Sequence, residues 1–290
     1  MKKEYLYAGI SILLWSTTAT ISKILLDSLN SIQILLISSF CAFITLLIIN
    51  ISQGKIKQLK NYKLKNFIEL FFIGILGTFL YDLLFYLGID RLKASQAFII
   101  NYLWPIMIIL FACIILKEKL TFRKIISVVI SFIGVIFVAS DGNIFCIGKN
   151  NLIGALFCVL AAISYGLFSV LNKQKNYDKF LSMMIFCFNS FILSLIYILL
   201  TKEWYIPNIN QFIGLFWIGS FTVSIALTTW ALALEKGDTA KISNIAYITP
   251  FLSIIWSSII LKEKISIYSI IGLLIIILGI FIQMQKEDDI

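Results

Sequence analysis

Apolar residues run along this chain in stretches of about twenty, and short loops rich in lysine separate them. A helix needs about 20 such residues to cross the hydrocarbon core of a bilayer. Ten stretches come close to that length, near 6–26, 32–51, 67–87, 94–116, 122–139, 150–172, 179–200, 210–233, 239–261 and 266–284. The pattern predicts an all-α membrane protein with ten transmembrane helices and no room in its loops for a soluble catalytic domain. The alternating segments of an outer-membrane barrel are absent. Lys2 and Lys3 precede the first stretch as they would in a signal peptide. That stretch is too long for an h-region and is predicted to be the first span.

The pattern occurs twice. A shift of 145 positions lays Gly74 on Gly219, Tyr102 on Tyr247, Pro105 on Pro250 and Gly134 on Gly279. It also lays Leu116-Lys117-Glu118-Lys119 on Leu261-Lys262-Glu263-Lys264. Near the start the shift is 150, pairing Trp15 with Tyr165 and Lys23 with Lys173. Residues 1–145 and 146–290 therefore read as two five-helix repeats. Five is odd, so the second repeat enters the bilayer inverted with respect to the first, and an even total puts both termini on one side. Such inverted repeats belong mainly to transporters, whose substrate sites lie where the repeats meet.

Charge supports the inversion. With the N-terminus in the cytoplasm, 17 of the 24 lysines and arginines fall inside, as the positive-inside rule requires. The loop after the second span carries five lysines, whereas its counterpart after the seventh carries only Lys202. The net charge of +9 is thus a topology signal and argues against a nucleic-acid partner. Hydrophobic residues make up 60% of the chain and charged residues 13%, which makes the bilayer the expected surroundings.

The missing chemistry narrows the function. The chain has no histidine, so a His-based triad or an imidazole metal site is excluded. The run from Gly142 to Lys149 has the wrong glycine spacing for a phosphate loop, and Asn150 stands where serine or threonine is required. Cys41, Cys113, Cys146, Cys158 and Cys187 form no CxxC pair and read as packing residues. No metal, no cofactor and no enzymatic activity are expected.

Several residues stand out within the spans. Pro105 and Pro250 fall at the middle of the fourth and ninth. Each removes a backbone hydrogen bond, freeing the carbonyls of Asn101 and Ala246, and is expected to kink its helix. Inside a bilayer such carbonyls are tolerated where protein or a water-filled cavity satisfies them; packing alone is the other reading. Ser11, Trp15, Thr18 and Ser22 share one face of the first span, and Ala161, Tyr165, Phe168 and Asn172 form the matching face of the sixth. Thr239, Ser243, Tyr247, Thr222, Thr229 and Trp230 add polar and aromatic positions in the eighth and ninth spans. Serine and threonine also hydrogen-bond membrane helices together. Asp82 is the clearest intramembrane charge, a candidate coupling-proton carrier or partner for a substrate ammonium group. Its structural alternative is a pair with Arg91 or a tyrosine hydroxyl. Lys23 and Lys173 are expected to snorkel to water, and Glu118 and Glu263 to close solvated turns.

This arrangement resembles the drug/metabolite transporter superfamily, specifically its EamA branch, over essentially the whole chain. The first half is most similar to the bacterial aromatic amino-acid exporters. The residues that carry the likeness are Leu14-Trp15-Ser16-Thr17, Tyr81-Asp82 with Leu87-Gly88, and Asn101-Tyr102-Leu103-Trp104-Pro105, with Asn172-Lys173 and Trp230 in the second half. The sixth span has Ser164-Tyr165 where those exporters carry tryptophan. The resemblance implies alternating access in the cytoplasmic membrane of a bacterium, with a small-molecule substrate: amino acids, aromatic ones above all, or related amphiphilic metabolites. Organic cations or drugs, with Asp82 as counter-charge, are the alternative. Residues and resemblance together point to a site of Trp15, Tyr81, Asp82, Asn101, Tyr102, Trp104, Tyr165, Trp230 and Tyr247. The oligomeric state is left open.

Overall fold

The computed structural model describes residues 3–115, 117, 122–141, 148–236, 246 and 248–284, and these contain helices and no strand. Seven of the helical runs are long and apolar enough to cross a membrane, and three shorter apolar helices accompany them within 128–140, 248–260 and 267–279. The first run is α1 (Lys3–Ser16) and α2 (Thr18–Leu26), parted by a turn at Thr17. Next come α3 (Ser31–Ser52), α4 (Leu64–Gly74), α5 (Tyr81–Arg91), α6 (Ala94–Asn101), α7 (Trp104–Ile115) and α8 (Phe122–Ser140). The second half holds α9 (Lys149–Lys173), α10 (Lys179–Thr201), α11 (Ile209–Phe216), α12 (Ala226–Lys236), α13 (Ile248–Ile260) and α14 (Ile267–Met284).

Local sequence sets several boundaries. Asn30 and Gln33 form a capping box at the start of α3, with Gln33 N donating to Asn30 Oδ1 at 2.9 Å. Asn208 and Gln211 repeat it at α11, and Asp178 Oδ1 caps α10 by accepting from Phe180 N at 2.9 Å.

The chain departs from the α-helix where sequence gives little warning. Between α4 and α5 the residues Ile75–Leu80 form a π-helical stretch, and Trp217–Ile225 do the same between α11 and α12. The two stretches match under the shift of 145. A widened turn releases carbonyls from the regular ladder, and side chains from the opposite half take them up. Ser164 Oγ donates to Leu76 O at 2.7 Å and Ser190 Oγ to Thr78 O at 2.9 Å. In the mirror arrangement Trp15 Nε1 donates to Thr222 O at 3.1 Å and Ser11 Oγ to Ala226 O at 2.9 Å.

The packing follows the same duplication. Helix α5 lies on α9 as α12 lies on α1, and α7 lies on α9 as α13 lies on α1. Helix α3 packs along α10, and α8 along α14, so each pair joins equivalent elements of the two halves. Glycine permits the closest crossings. A Cβ on Gly219 would stand 2.2 Å from Ser38 O, and one on Gly77 would stand 2.3 Å from the Phe168 ring.

Polar ties close both ends of the bundle. At the lysine-rich end Lys175 pairs with Glu69, Tyr177 OH donates to Glu69 Oε2 at 2.5 Å, and Lys55 meets Asp178 at 2.8 Å. At the other end Asn30 Nδ2 donates to Glu203 Oε2 at 3.0 Å and Gln211 Nε2 to Ser28 Oγ at 2.8 Å.

Pro105 acts differently from the kink expected of it. Helix α6 stops at Asn101, Tyr102 and Leu103 form a turn, and α7 restarts at Trp104. Pro105 is the second residue of α7, where a missing N–H costs least. For Pro250 the stretch just before it, at Tyr247, lies outside the described residues.

Overpacking at the Gly219 crossing is expected to cost about 1–3 kcal/mol. Gly219→Val should therefore lower the temperature at which the detergent-solubilised protein loses its monodisperse size-exclusion peak. Gly9→Ala, whose Cβ meets nothing within 4 Å, should leave that temperature unchanged.

Candidate functional site

The helix interruptions converge on one cavity of about 750 Å³, the solvent at its mouth included. Trp15 at the end of α1 and Thr18 at the start of α2 line it, with Gly77 and Thr78 from the first π-helical stretch and Thr222 and Val223 from the second. Helix α5 adds Tyr81, Asp82, Phe85 and Tyr86, and α6 adds Phe98 and Asn101. Tyr102 and Trp104 from the break, Tyr165 from α9, Leu227 from α12 and Thr249 from α13 complete the wall.

Of the nine residues singled out in the sequence, seven line this space together: Trp15, Tyr81, Asp82, Asn101, Tyr102, Trp104 and Tyr165. Trp230 stands one layer back. It is 4% exposed, and its ring lies 5.4 Å from Trp15 and 6.1 Å from Trp104. Tyr247 lies outside the described residues, as do Glu118 and Cys146.

The aromatic groups form a continuous cluster. Trp104 meets Tyr165 edge-on at 5.4 Å, Tyr165 meets Tyr81 at 4.9 Å, and Tyr102 meets Trp104 at 5.7 Å. Ring contacts at these separations hold one another in register. Asn101 Nδ2 donates to Tyr81 OH at 3.0 Å, so the last residue of α6 is tied to the first of α5. Asp82 is the sole charged residue of the lining, and it makes no hydrogen bond or ion pair among the described residues. Arg91 does not reach it; that side chain donates to Leu87 O at 2.9 Å and meets Asp90 at 3.4 Å. Such a cavity can hold an aromatic ring by face and edge and a cation by its carboxylate.

Two charged residues behave otherwise than expected. Glu263 does not close a solvated turn. Its carboxylate accepts from Ala94 N at 2.8 Å, Ser95 N at 3.2 Å and Ser95 Oγ at 2.7 Å, capping α6 from the other half of the chain. Lys23 does more than reach for water: half-buried, it also holds backbone. Its ammonium donates to Ile89 O at 2.7 Å and Leu92 O at 2.8 Å, at the carbonyl end of α5. Each charge complements the helix end it meets. Together they hold the corner between α5 and α6, the two helices that bring Tyr81, Asp82 and Asn101 to the cavity. Lys173, the counterpart of Lys23, is exposed as expected.

Sequence reasoning passed over Phe85, Tyr86, Phe98, Thr78 and Thr249, which look like ordinary apolar or helix-joining positions in a span. A glycine in each π-helical neighbourhood was the one available signal there. For Glu263 the signal was present, because Leu-Lys-Glu-Lys is retained in both halves while the flanking loops diverge.

Comparison with known proteins agrees with this architecture. The sequence profile of the EamA-like transporter family matches residues 2–140 and 152–284. An uncharacterized transporter from Clostridium kluyveri is 26% identical, with 99% of this chain and 94% of that protein aligned. An aromatic amino acid exporter, YddG of Ancylobacter novellus, is 23% identical over 62% of this chain and 63% of its own length. One protein solved by crystallography superposes with a TM-score of 0.72 at 19% identity, covering 97% of this chain and 96% of the other, a likeness of fold alone.

Removing the Glu263 cap leaves backbone donors without their charged acceptor, a loss of roughly 1–3 kcal/mol. Hydrogen–deuterium exchange on a peptide spanning residues 92–98 should therefore be markedly faster in Glu263→Ala than in the wild type, with Glu263→Gln between the two.

Proposed function

The chain belongs to the EamA-like transporter family, and on that premise we propose that it exports amino acids, aromatic ones first, or related small amphiphilic metabolites by alternating access. The observation that carries this reading is the aromatic cavity at the junction of the interrupted helices, with Asp82 and Asn101 among its rings. An aromatic side chain stacks on Trp15, Trp104 and Tyr165, while Asn101 and carbonyls released at the helix breaks orient the polar end. The likeness to an aromatic amino acid exporter points the same way.

The reading includes ten crossings in two inverted five-helix repeats, with both termini in the cytoplasm of a bacterial cell. Residues 1–145 and 146–290 are the two repeats, and they rock about the cavity between them. The duplicated packing and the paired π-helical stretches support it. A membrane-impermeant thiol reagent should label a cysteine at Lys57 only after the cells are opened, and one at Glu203 in intact cells; the reverse pattern rejects the orientation.

A second reading, export of organic cations, is favoured by Asp82 being the sole charge among the described residues of the cavity wall. Counterflow in proteoliposomes separates the two. Labelled phenylalanine outside should enter when aromatic amino acids are loaded inside, and Asn101→Ala and Trp104→Ala should lose at least nine-tenths of that uptake while inserting normally. Uptake of a labelled quaternary amine, abolished in Asp82→Asn and unmatched by phenylalanine, would instead select the cation carrier.

A further inference from the structure

Buried polar atoms in folded proteins almost always have partners, and an orphan is costly. Among the described residues a few side chains are exceptions; Ser22, Asn50, Asn189 and Ser253 lie outside the cavity lining, but three others stand together on it. Thr18 Oγ1, Asn101 Oδ1 and Thr249 Oγ1 are buried, find no hydrogen-bond partner and all line the cavity. Asn101 is 4% exposed and Thr249 2%.

Their placement has a common cause. Thr18 opens α2 after the turn at Thr17, Asn101 is the last residue of α6 before the break, and Thr249 precedes Pro250 in α13. Helices α2, α6 and α13 pack on one another in all three combinations. The start of α2, the end of α6 and the Thr249–Pro250 step of α13 thus meet, and each contributes a polar atom without a partner. A hydroxyl in mid-helix commonly satisfies itself on the carbonyl four residues back, as Thr222 does on Ile218 O at 2.8 Å. Thr18 and Thr249 make no such bond, and Asn101 has spent its amide nitrogen on Tyr81.

We propose that Thr18, Asn101 and Thr249 form a head-group subsite that takes the α-amino and α-carboxylate groups of an amino acid. The two hydroxyls are donors and suit the carboxylate oxygens. The amide oxygen is an acceptor and suits the ammonium group, which Asp82 also attracts from its place on the same wall. Among the described residues the lining holds no lysine or arginine, so neutral donors are the ones offered to the carboxylate. The rings of Trp15, Trp104 and Tyr165 remain free for the side chain. This assignment rests on the amino-acid reading of the cavity and adds the atoms that distinguish an amino acid from the amine lacking its carboxylate.

Replacement of each threonine by valine keeps shape and removes the hydroxyl. The test compares L-phenylalanine with phenethylamine as ligands of purified wild type, Thr18→Val and Thr249→Val, by ligand-induced thermal stabilisation. Each lost hydrogen bond to a charged group should weaken phenylalanine tenfold or more and leave phenethylamine within twofold. Ser253→Ala, one turn along α13 from Thr249 and outside the cavity lining, should change neither ligand. Equal weakening of both ligands by the valine variants would mean a structural role and overturn the subsite. Unchanged phenylalanine binding in both variants would overturn it while leaving the amino-acid reading intact. Failure of the wild type to bind phenylalanine would end that reading and the subsite with it.

Discussion

In an apolar medium a backbone carbonyl without a donor is expensive, and this requirement shapes the whole molecule. Both π-helical stretches release carbonyls at the depth of the cavity. Their donors are the side chains of Ser164 and Ser190 in one half and of Trp15 in the other, and Ser11 serves Ala226 O just past the second stretch. Each half therefore completes the hydrogen bonding of its counterpart, and neither half is polar-satisfied alone. The cavity lies where these exchanges take place because irregular backbone is tolerated only there.

Charge is used sparingly and for two different ends. Lys23 and Glu263 are spent on helix termini, where a full charge meets the partial charge of backbone groups and organises the corner between α5 and α6. Asp82 has no such partner and faces the cavity. Among the described residues the contrast separates charges that build the wall from a carboxylate that lines the cavity. The same division holds among the hydroxyls, since Ser11 and Thr222 serve backbone carbonyls while Thr18 and Thr249 serve none.

Much of the candidate site was legible because aromatic and acidic residues in a bilayer span are conspicuous. Trp15, Tyr81, Asp82, Asn101 and Trp104 each broke an aliphatic pattern, and the break itself marked them. Phe85, Phe98 and Thr249 broke nothing, because phenylalanine and threonine are common in spans and only neighbouring helices decide which way they face. Trp230 was legible as unusual but not as second-layer, a distinction that depends on how far α12 stands from the cavity. The prolines were read as kinks, but helix α6 had already ended before Pro105. A proline at the start of a new helix removes a hydrogen bond that was never available.

By itself the sequence determined the helical class, the duplication and the apolar surroundings, since these follow from run lengths, spacing and the bias of lysine between loops. Those are properties of order along the chain, and a bilayer reads them nearly one residue at a time. Tertiary structure alone decided that two spans widen into π-helical turns, that Glu263 and Lys23 clamp a corner formed by other helices, and that Thr18, Asn101 and Thr249 from three helices meet with unspent polar atoms. Each of these is a contact between segments far apart in sequence, where the side chain that satisfies a group lies on another helix and local pattern carries no record of it.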